Sequence, residues 1–294
     1  MLRAGVFGHC IKNAVPEDQR SHENFIRLAA EKGFEGIELW DQFDDVKDQP
    51  ERLRALAESV GIEIFGMGSA VHPGRDDPGK DEMLATVRGQ IDTCAVLGAG
   101  VLSFTCVGAA ARPGGTQLFS RSLVPLVEQL KALGAYAADK SIRLAVLNHA
   151  PFIMRSDNQE WVVKLVGMEN VGACVDTGNY LGNSSEDPVS AARRLAGLTT
   201  MIRLCDNTPK ADREVIEHFE NTGELRVHNQ AILGEGAANP RQCMQILVDG
   251  GYRGFVSLKR IGMRPDDSRD PLAYNARIIK EMIQSLDPPE GQRS

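Results

Sequence analysis

The chain has 294 residues, 42% of them hydrophobic and 25% charged, with a formal net charge of −7. That length and apolar share suffice for one α/β barrel or for two smaller domains. An acidic balance with no polybasic run argues against a nucleic-acid surface, and no apolar run is long enough to span a membrane.

Strand and helix signals alternate eight times along the sequence. Leu2 to Phe7 is a short apolar run, and nothing around it looks like a signal peptide. His22 to Lys32 carries Phe25, Leu28 and Ala29 at helical spacing and stops at Gly33. Glu35 to Trp40 predicts the second strand, and Glu51 to Val60 a helix closed by Gly61. Ile62 to Met67 is the third strand, followed by a helix over Asp81 to Leu97. Val101 to Val107 and Phe119 to Ala138 form the fourth pair, and Ile142 to Asn148 with Asn158 to Val166 the fifth. Val171 to Thr177 precedes a helix over Pro188 to Ala196. Thr200 to Cys205 leads, after a long stretch from Asn207 to Gly236, to a helix over Pro240 to Asp249. Gly254 to Lys259 is the eighth strand, and Leu272 to Ser285 the last helix.

Strands that each feed a helix imply a parallel sheet, and eight such units suggest a closed (β/α)8 TIM barrel. An open doubly wound sheet would advertise a glycine-rich turn after its first strand. The turn here, Gly8-His9-Cys10-Ile11-Lys12, does not fit a dinucleotide fingerprint. With no linker or composition shift, one domain is expected over 1–287, with a frayed tail at 288–294. The Asn207–Gly236 stretch, with a helical turn at Asp212 to Phe219, would lie at the C-terminal face beside the active-site mouth. The six cysteines are scattered with no C-x-x-C pair, and they read as reduced thiols of a cytoplasmic protein.

Six stretches in order resemble one family: Gly33-Phe34-Glu35-Gly36-Ile37-Glu38-Leu39, Leu147-Asn148-His149, Val175-Asp176-Thr177-Gly178-Asn179, Leu204-Cys205-Asp206-Asn207, Leu233-Gly234-Glu235-Gly236, and Gly251 to Lys259. Together they resemble the xylose-isomerase-like barrels of the sugar phosphate isomerase/epimerase superfamily. The resemblance implies a divalent metal held by Glu, Asp, His and Glu at the ends of strands five to eight. The matching positions are Leu147, Asp176, Arg203 and Lys259, so only Asp176 is a ready ligand. A dication ~4 Å from either cation would meet a repulsion of roughly 8 kcal/mol at an effective dielectric of 20. No metal and no cofactor are therefore expected here.

Strand alternation puts Ala145 with Leu147, Cys174 with Asp176, Met201 with Arg203 and Ser257 with Lys259 on the interior face. Three readings stay open. Asp176, Arg203 and Lys259 form a buried ion cluster that keeps a barrel neutral enough to fold. Alternatively, the two cations polarise a carbonyl or hold a carboxylate or phosphate, while Asp176 or His149 moves a proton. In the third, Lys259 is an amine nucleophile. Substrate-binding candidates are Glu38, Trp40, His72, Asn148, Asn179, Cys205 and Asp206. Arg203 is expected to favour a thiolate at Cys205.

The expected function is that of a sugar isomerase- or epimerase-like enzyme. It would act on a small, sugar-like polyhydroxy carbonyl compound, neutral or anionic, by metal-independent proton transfer next to the carbonyl, with isomerisation, epimerisation or elimination as the outcome. The alternative is a non-catalytic sugar- or partner-binding barrel. Neither nucleic acid nor membrane is an expected partner, and a homo-oligomer is allowed.

Overall fold

The predicted alternation closes on itself. The computed structural model describes residues 1–12, 14–42, 45–74, 78–106, 116–149, 153–222, 228–260 and 268–288, with the backbone alone at 116–122 and 183. Eight parallel strands make a closed barrel: β1 (Leu2–Phe7), β2 (Gly36–Trp40), β3 (Glu63–Gly68), β4 (Val101–Thr105), β5 (Arg143–Leu147), β6 (Val171–Asp176), β7 (Thr199–Leu204) and β10 (Gly254–Leu258). The ring shuts where Leu2 to Val6 pair with Gly254 to Leu258. A small antiparallel sheet, β8 (Asp206–Pro209) with β9 (His228–Ala231), follows β7.

The period-2 pattern divides the core in two. Leu144 and Val146 face outward into the main core with Val162, Val163 and Leu133 of the surrounding helices. Ala145 and Leu147 face inward, where they join Phe65, Val101, Cys174, Met201 and Phe255. Phe65 and Phe255 stack there with ring centroids 4.4 Å apart. Each fully buried large side chain contributes roughly 1.5–3 kcal/mol. The interior is therefore packed, and polar chemistry is left to the C-terminal ends of the strands.

Helix boundaries follow local chemistry. Ser21 Oγ accepts from the Asn24 N–H at 3.2 Å and starts the helix His22–Glu31. Asp187 and Asp270 each cap a helix whose next residue is proline, Pro188 or Pro271. The helix Pro50–Val60 ends at Gly61, whose φ of 73° is left-handed.

The predicted elements are present, with ends moved by up to three residues where they can be described, the largest shift being the start of the fourth helix at Thr116. Residue 107, the predicted end of the fourth strand, lies outside the described residues, as does the tail from 289 onward. Two short helices, Gly8–Lys12 and Thr177–Ser184, occupy turns that periodicity had left irregular. The helical turn read at Asp212 to Phe219 extends to Thr222, and the helix buries none of its residues. Its β8–β9 support was not predicted, because Asp206-Asn207-Thr208-Pro209 and His228-Asn229-Gln230-Ala231 show no apolar alternation. Among the described residues no helix is long and apolar enough to cross a membrane.

Candidate active site

Two buried ion pairs stand at the C-terminal ends of the strands. In the first, Arg203 on β7 reaches Glu38 on β2. Its Nε donates to Glu38 Oε2 at 3.1 Å, and its Nη2 donates to Glu38 Oε1 and, at 2.7 Å, to Ser103 Oγ. Ser103 and Ser257 donate back to Glu38 at 2.9 and 3.2 Å. The guanidinium also covers the Phe7 ring, 4.2 Å from its centroid. Gly68 permits this, since a Cβ there would lie 3.1 Å from Arg203 Nη2. Burial alone would favour losing the Arg203 proton; Glu38 outweighs it and holds the group charged.

In the second pair, Lys259 Nζ lies 2.6 Å from Asp176 Oδ2 and donates to Asn179 Oδ1 at 2.7 Å. Asp176 ends β6 and caps the helix Thr177–Ser184, where its Oδ1 accepts from the Asn179 N–H at 3.1 Å. One carboxylate thus turns the chain and anchors the ammonium. Burial pushes the Asp176 carboxyl up, but the charge and hydrogen bond of Lys259, with Arg203 and the Cys205 thiol, hold it below the ordinary value.

The three charges grouped by sequence therefore form two pairs, because Glu38 on the second strand claims Arg203. A second expectation is also corrected. Burial and the neighbouring Asp176 push the Cys205 thiol up to about 12, so Cys205 is a thiol, its Sγ donating to Asp176 Oδ1 at 3.3 Å. The nearby cations do not bring it to a thiolate, because burial and Asp176 outweigh them.

The remaining predicted residues divide by what their polar atoms meet. Asn148 bridges β5 to β6, donating to the Asp176 carbonyl and accepting from the Asp176 N–H, both at 3.1 Å. Asp206 collects the N–H groups of Asn207, Gly234, Gly236 and Ala238 at 2.9–3.0 Å, so its carboxylate fixes the loop after β9. Trp40 is half-buried, with His9 edge-on at 4.6 Å and Lys12 Nζ 5.3 Å from its ring. The Trp40 backbone N–H donates to Nε2 of the buried His22, whose Nδ1 pairs with Asp45 at 2.6 Å. His72 Nδ1 is buried without a hydrogen-bond partner, and burial lowers the pKa of the ring. His149 is exposed beyond β5, and desolvation, then the charges of Lys259, Arg260 and Arg203, lowers its pKa against the opposing pull of Asp176.

Ser103 carries no sequence motif, and nothing local in the sequence marks it as a partner of Glu38 and Arg203. Ser257 shares a strand face with Lys259 at period two, and that was its available signal.

A model for the family described as xylose isomerase-like TIM barrels matches residues 26–285. The chain belongs to this family. Among solved structures it is similar to a xylose isomerase-like TIM barrel protein from Mycobacterium smegmatis in complex with magnesium. The two are 18% identical, with TM-score 0.74, over 96% of this chain and 97% of that one. It is also similar to AsbF of Bacillus anthracis, described as a probable 3-DHS dehydratase involved in petrobactin synthesis, at 15% identity, TM-score 0.72, and 95% and 98% coverage. An L-ribulose 3-epimerase gives 14% identity, TM-score 0.72, and 97% and 95% coverage. At these identities the likeness is one of fold. No curated protein matches the sequence.

The family resemblance implies a divalent ion, and the donors here do not fit one. Leu147 lies in the apolar interior cluster and offers no lone pair. Arg203 is a cation fixed on Glu38, and the Lys259 ammonium already takes oxygens from Asp176 and Asn179. Among the described residues, no three His, Cys, Asp or Glu side chains converge to hold a metal. A hard dication asks for six or more oxygens and would meet two fixed positive charges instead.

Proposed function

We propose that this barrel is a metal-independent isomerase or epimerase of small polyhydroxy carbonyl compounds, working by proton transfer at the carbon next to the carbonyl. Elimination of a hydroxyl from that carbanion-like state belongs to the same chemistry. The observation that carries the reading is the Lys259 ammonium, anchored by Asp176 and Asn179 at the strand ends. A fixed ammonium is an electrophile for a carbonyl oxygen, and it stabilises the negative charge that develops there when the neighbouring proton leaves. Asp176 and Asn179 hold the Lys259 nitrogen in place. That pairing also argues against Lys259 as a nucleophile, since its nitrogen is engaged with two side-chain oxygens.

His149 is the base in this reading. Asp176 is held ionised by two cations and is correspondingly weak, whereas desolvation and then the cations around His149 favour its neutral imidazole. Arg203, bonded to both Glu38 oxygens, fixes the mouth without reaching the substrate. The six buried, unpaired cysteine thiols suit a reducing compartment, and the cytoplasm is the proposed location.

A base must be unprotonated to act, and desolvation with the nearby cations holds the His149 pKa below the ordinary histidine value. The acid limb of kcat/KM is therefore expected below the ordinary histidine range. The test is deuterium exchange. Aldoses and ketoses incubated with the protein in deuterium oxide should lose the NMR signal of the hydrogen next to the carbonyl. His149→Gln should slow this by about 10²-fold or more. A ligand that binds without exchange would instead identify a sugar-binding barrel, and full exchange by His149→Gln would remove the assigned base.

A further inference from the structure

We infer that the protein is a two-fold dimer in which the helix Asp212–Thr222 of each copy lies on the helix Ser156–Val166 of the other. The inference concerns the outer surface and does not rest on the reading of the active site.

Two apolar patches lie bare on this chain. Among the described residues, the exposed large apolar side chains beyond Met1 are Val124, Trp161, Leu165, Ile216 and Phe219. Trp161 and Leu165, 57% and 43% exposed, stand one turn apart on the outer face of the helix Ser156–Val166. Val124 lies on the helix Thr116–Ala138, which packs beside it. Ile216 and Phe219, 56% and 52% exposed, share a face of the helix Asp212–Thr222 with the half-buried Val215.

The helix Asp212–Thr222 is the stronger signal. It has 11 residues. Helices shorter than about 12–15 residues are marginal alone in water, and most owe their stability to the packing of an apolar face. This one buries none of its residues against its own barrel. A second surface must therefore cover its stripe.

Charge selects that surface. Asp212, Glu214, Glu217 and Glu220 stand against one cation of the same helix, Arg213, whose Nε pairs with Glu217 at 2.9 Å. The tryptophan patch has the opposite excess at its border. Glu160 there takes Lys164 Nζ at 2.7 Å and Arg194 Nη1 at 3.0 Å, two exposed cations for one carboxylate, while Asp157 is matched by Arg155. An acidic apolar helix and a basic apolar helix are complementary, and each copy of the chain carries both. Two copies related by a two-fold axis cover all four patches with one repeated contact, and the assembly closes. Two copies of Asp212–Thr222 set against each other would oppose acid to acid. A foreign partner would have to match both patches or leave one bare.

Sedimentation velocity of the full chain, from about 0.1 to 50 μM, is the test. The expected parent species is a dimer, twice the 32.0 kDa of one chain. Phe219→Ala and Trp161→Ala each remove an aromatic anchor from both contacts, so each should raise the dissociation constant about 10³-fold. Mixed in equal amounts, the two variants keep one contact intact, Phe219 of one copy on Trp161 of the other. The mixture should therefore dimerise about 30-fold more tightly than either variant by itself. A misfolded variant could not be rescued in this way. A parent protein that stays monomeric, an assembly that either substitution leaves unweakened, or a mixture no tighter than its components overturns the inference.

Discussion

Lys259→Met is expected to lower turnover by about 10²–10³-fold, the usual loss when a fixed charge at a developing oxyanion is removed. Methionine keeps the length of the side chain and discards the ammonium. The change also strands the buried Asp176 carboxylate, so a loss of stability accompanies the loss of activity. Two further variants separate the effects. Lys259→Met with Asp176→Asn removes both charges, and it should recover stability without recovering turnover. Lys259→Arg keeps the charge with a different reach, and should recover stability fully and turnover in part. The acid behaviour has a definite sign. A folded carboxyl held below its unfolded value contributes stability above that unfolded pKa and loses it as pH falls through the folded one. Lys259→Met should therefore lose less stability than the parent protein on acidification. Chemical denaturation at several pH values, beside turnover, checks these outcomes, and a double variant with restored turnover would show that the pair is only structural.

Glu38→Gln should give the largest loss of stability, about 3–5 kcal/mol, because it leaves the buried Arg203 charge without its counter-ion. Arg203 keeps Ser103 and the Phe7 face, but neither carries a charge. Removing both charges in Glu38→Gln with Arg203→Met should return most of the lost stability, since a neutral pair avoids the cost of burying an unpaired charge. The measurement is the denaturant midpoint of the two variants against the parent protein. A Glu38→Gln protein within about 1 kcal/mol of the parent would mean that water reaches the pair and screens it.

The barrel was legible because strand alternation and helix periodicity agreed along the chain. Ala145 and Leu147 point inward while Leu144 and Val146 point outward, as period two requires. The absent metal ligands were legible too, because leucine, arginine and lysine stand where the resemblance asks for ligands. The pairing of the charges was not. Arg203 and Glu38 are 165 residues apart, and nothing local in the sequence says that Glu38 reaches across the barrel to claim the guanidinium. Asp206 was misleading for a related reason. Its motif suggested the site, but its oxygens are taken by backbone N–H groups of a loop 28 and more residues later. His9 was legible as a residue following the first strand, but only the fold brings the Trp40 ring edge-on to it.

Metal analysis tests the central claim, that a fixed ammonium stands where relatives in this family would carry a dication. The protein would be incubated with excess Mg²⁺, Mn²⁺, Co²⁺ and Zn²⁺, freed of loose ions, and measured for each element beside the rate of deuterium exchange. Substoichiometric metal throughout, with exchange indifferent to added ions and to chelator, is the expected result. One tightly held ion per chain, with exchange lost to chelator, would contradict it and return Asp176 to the role of a metal ligand.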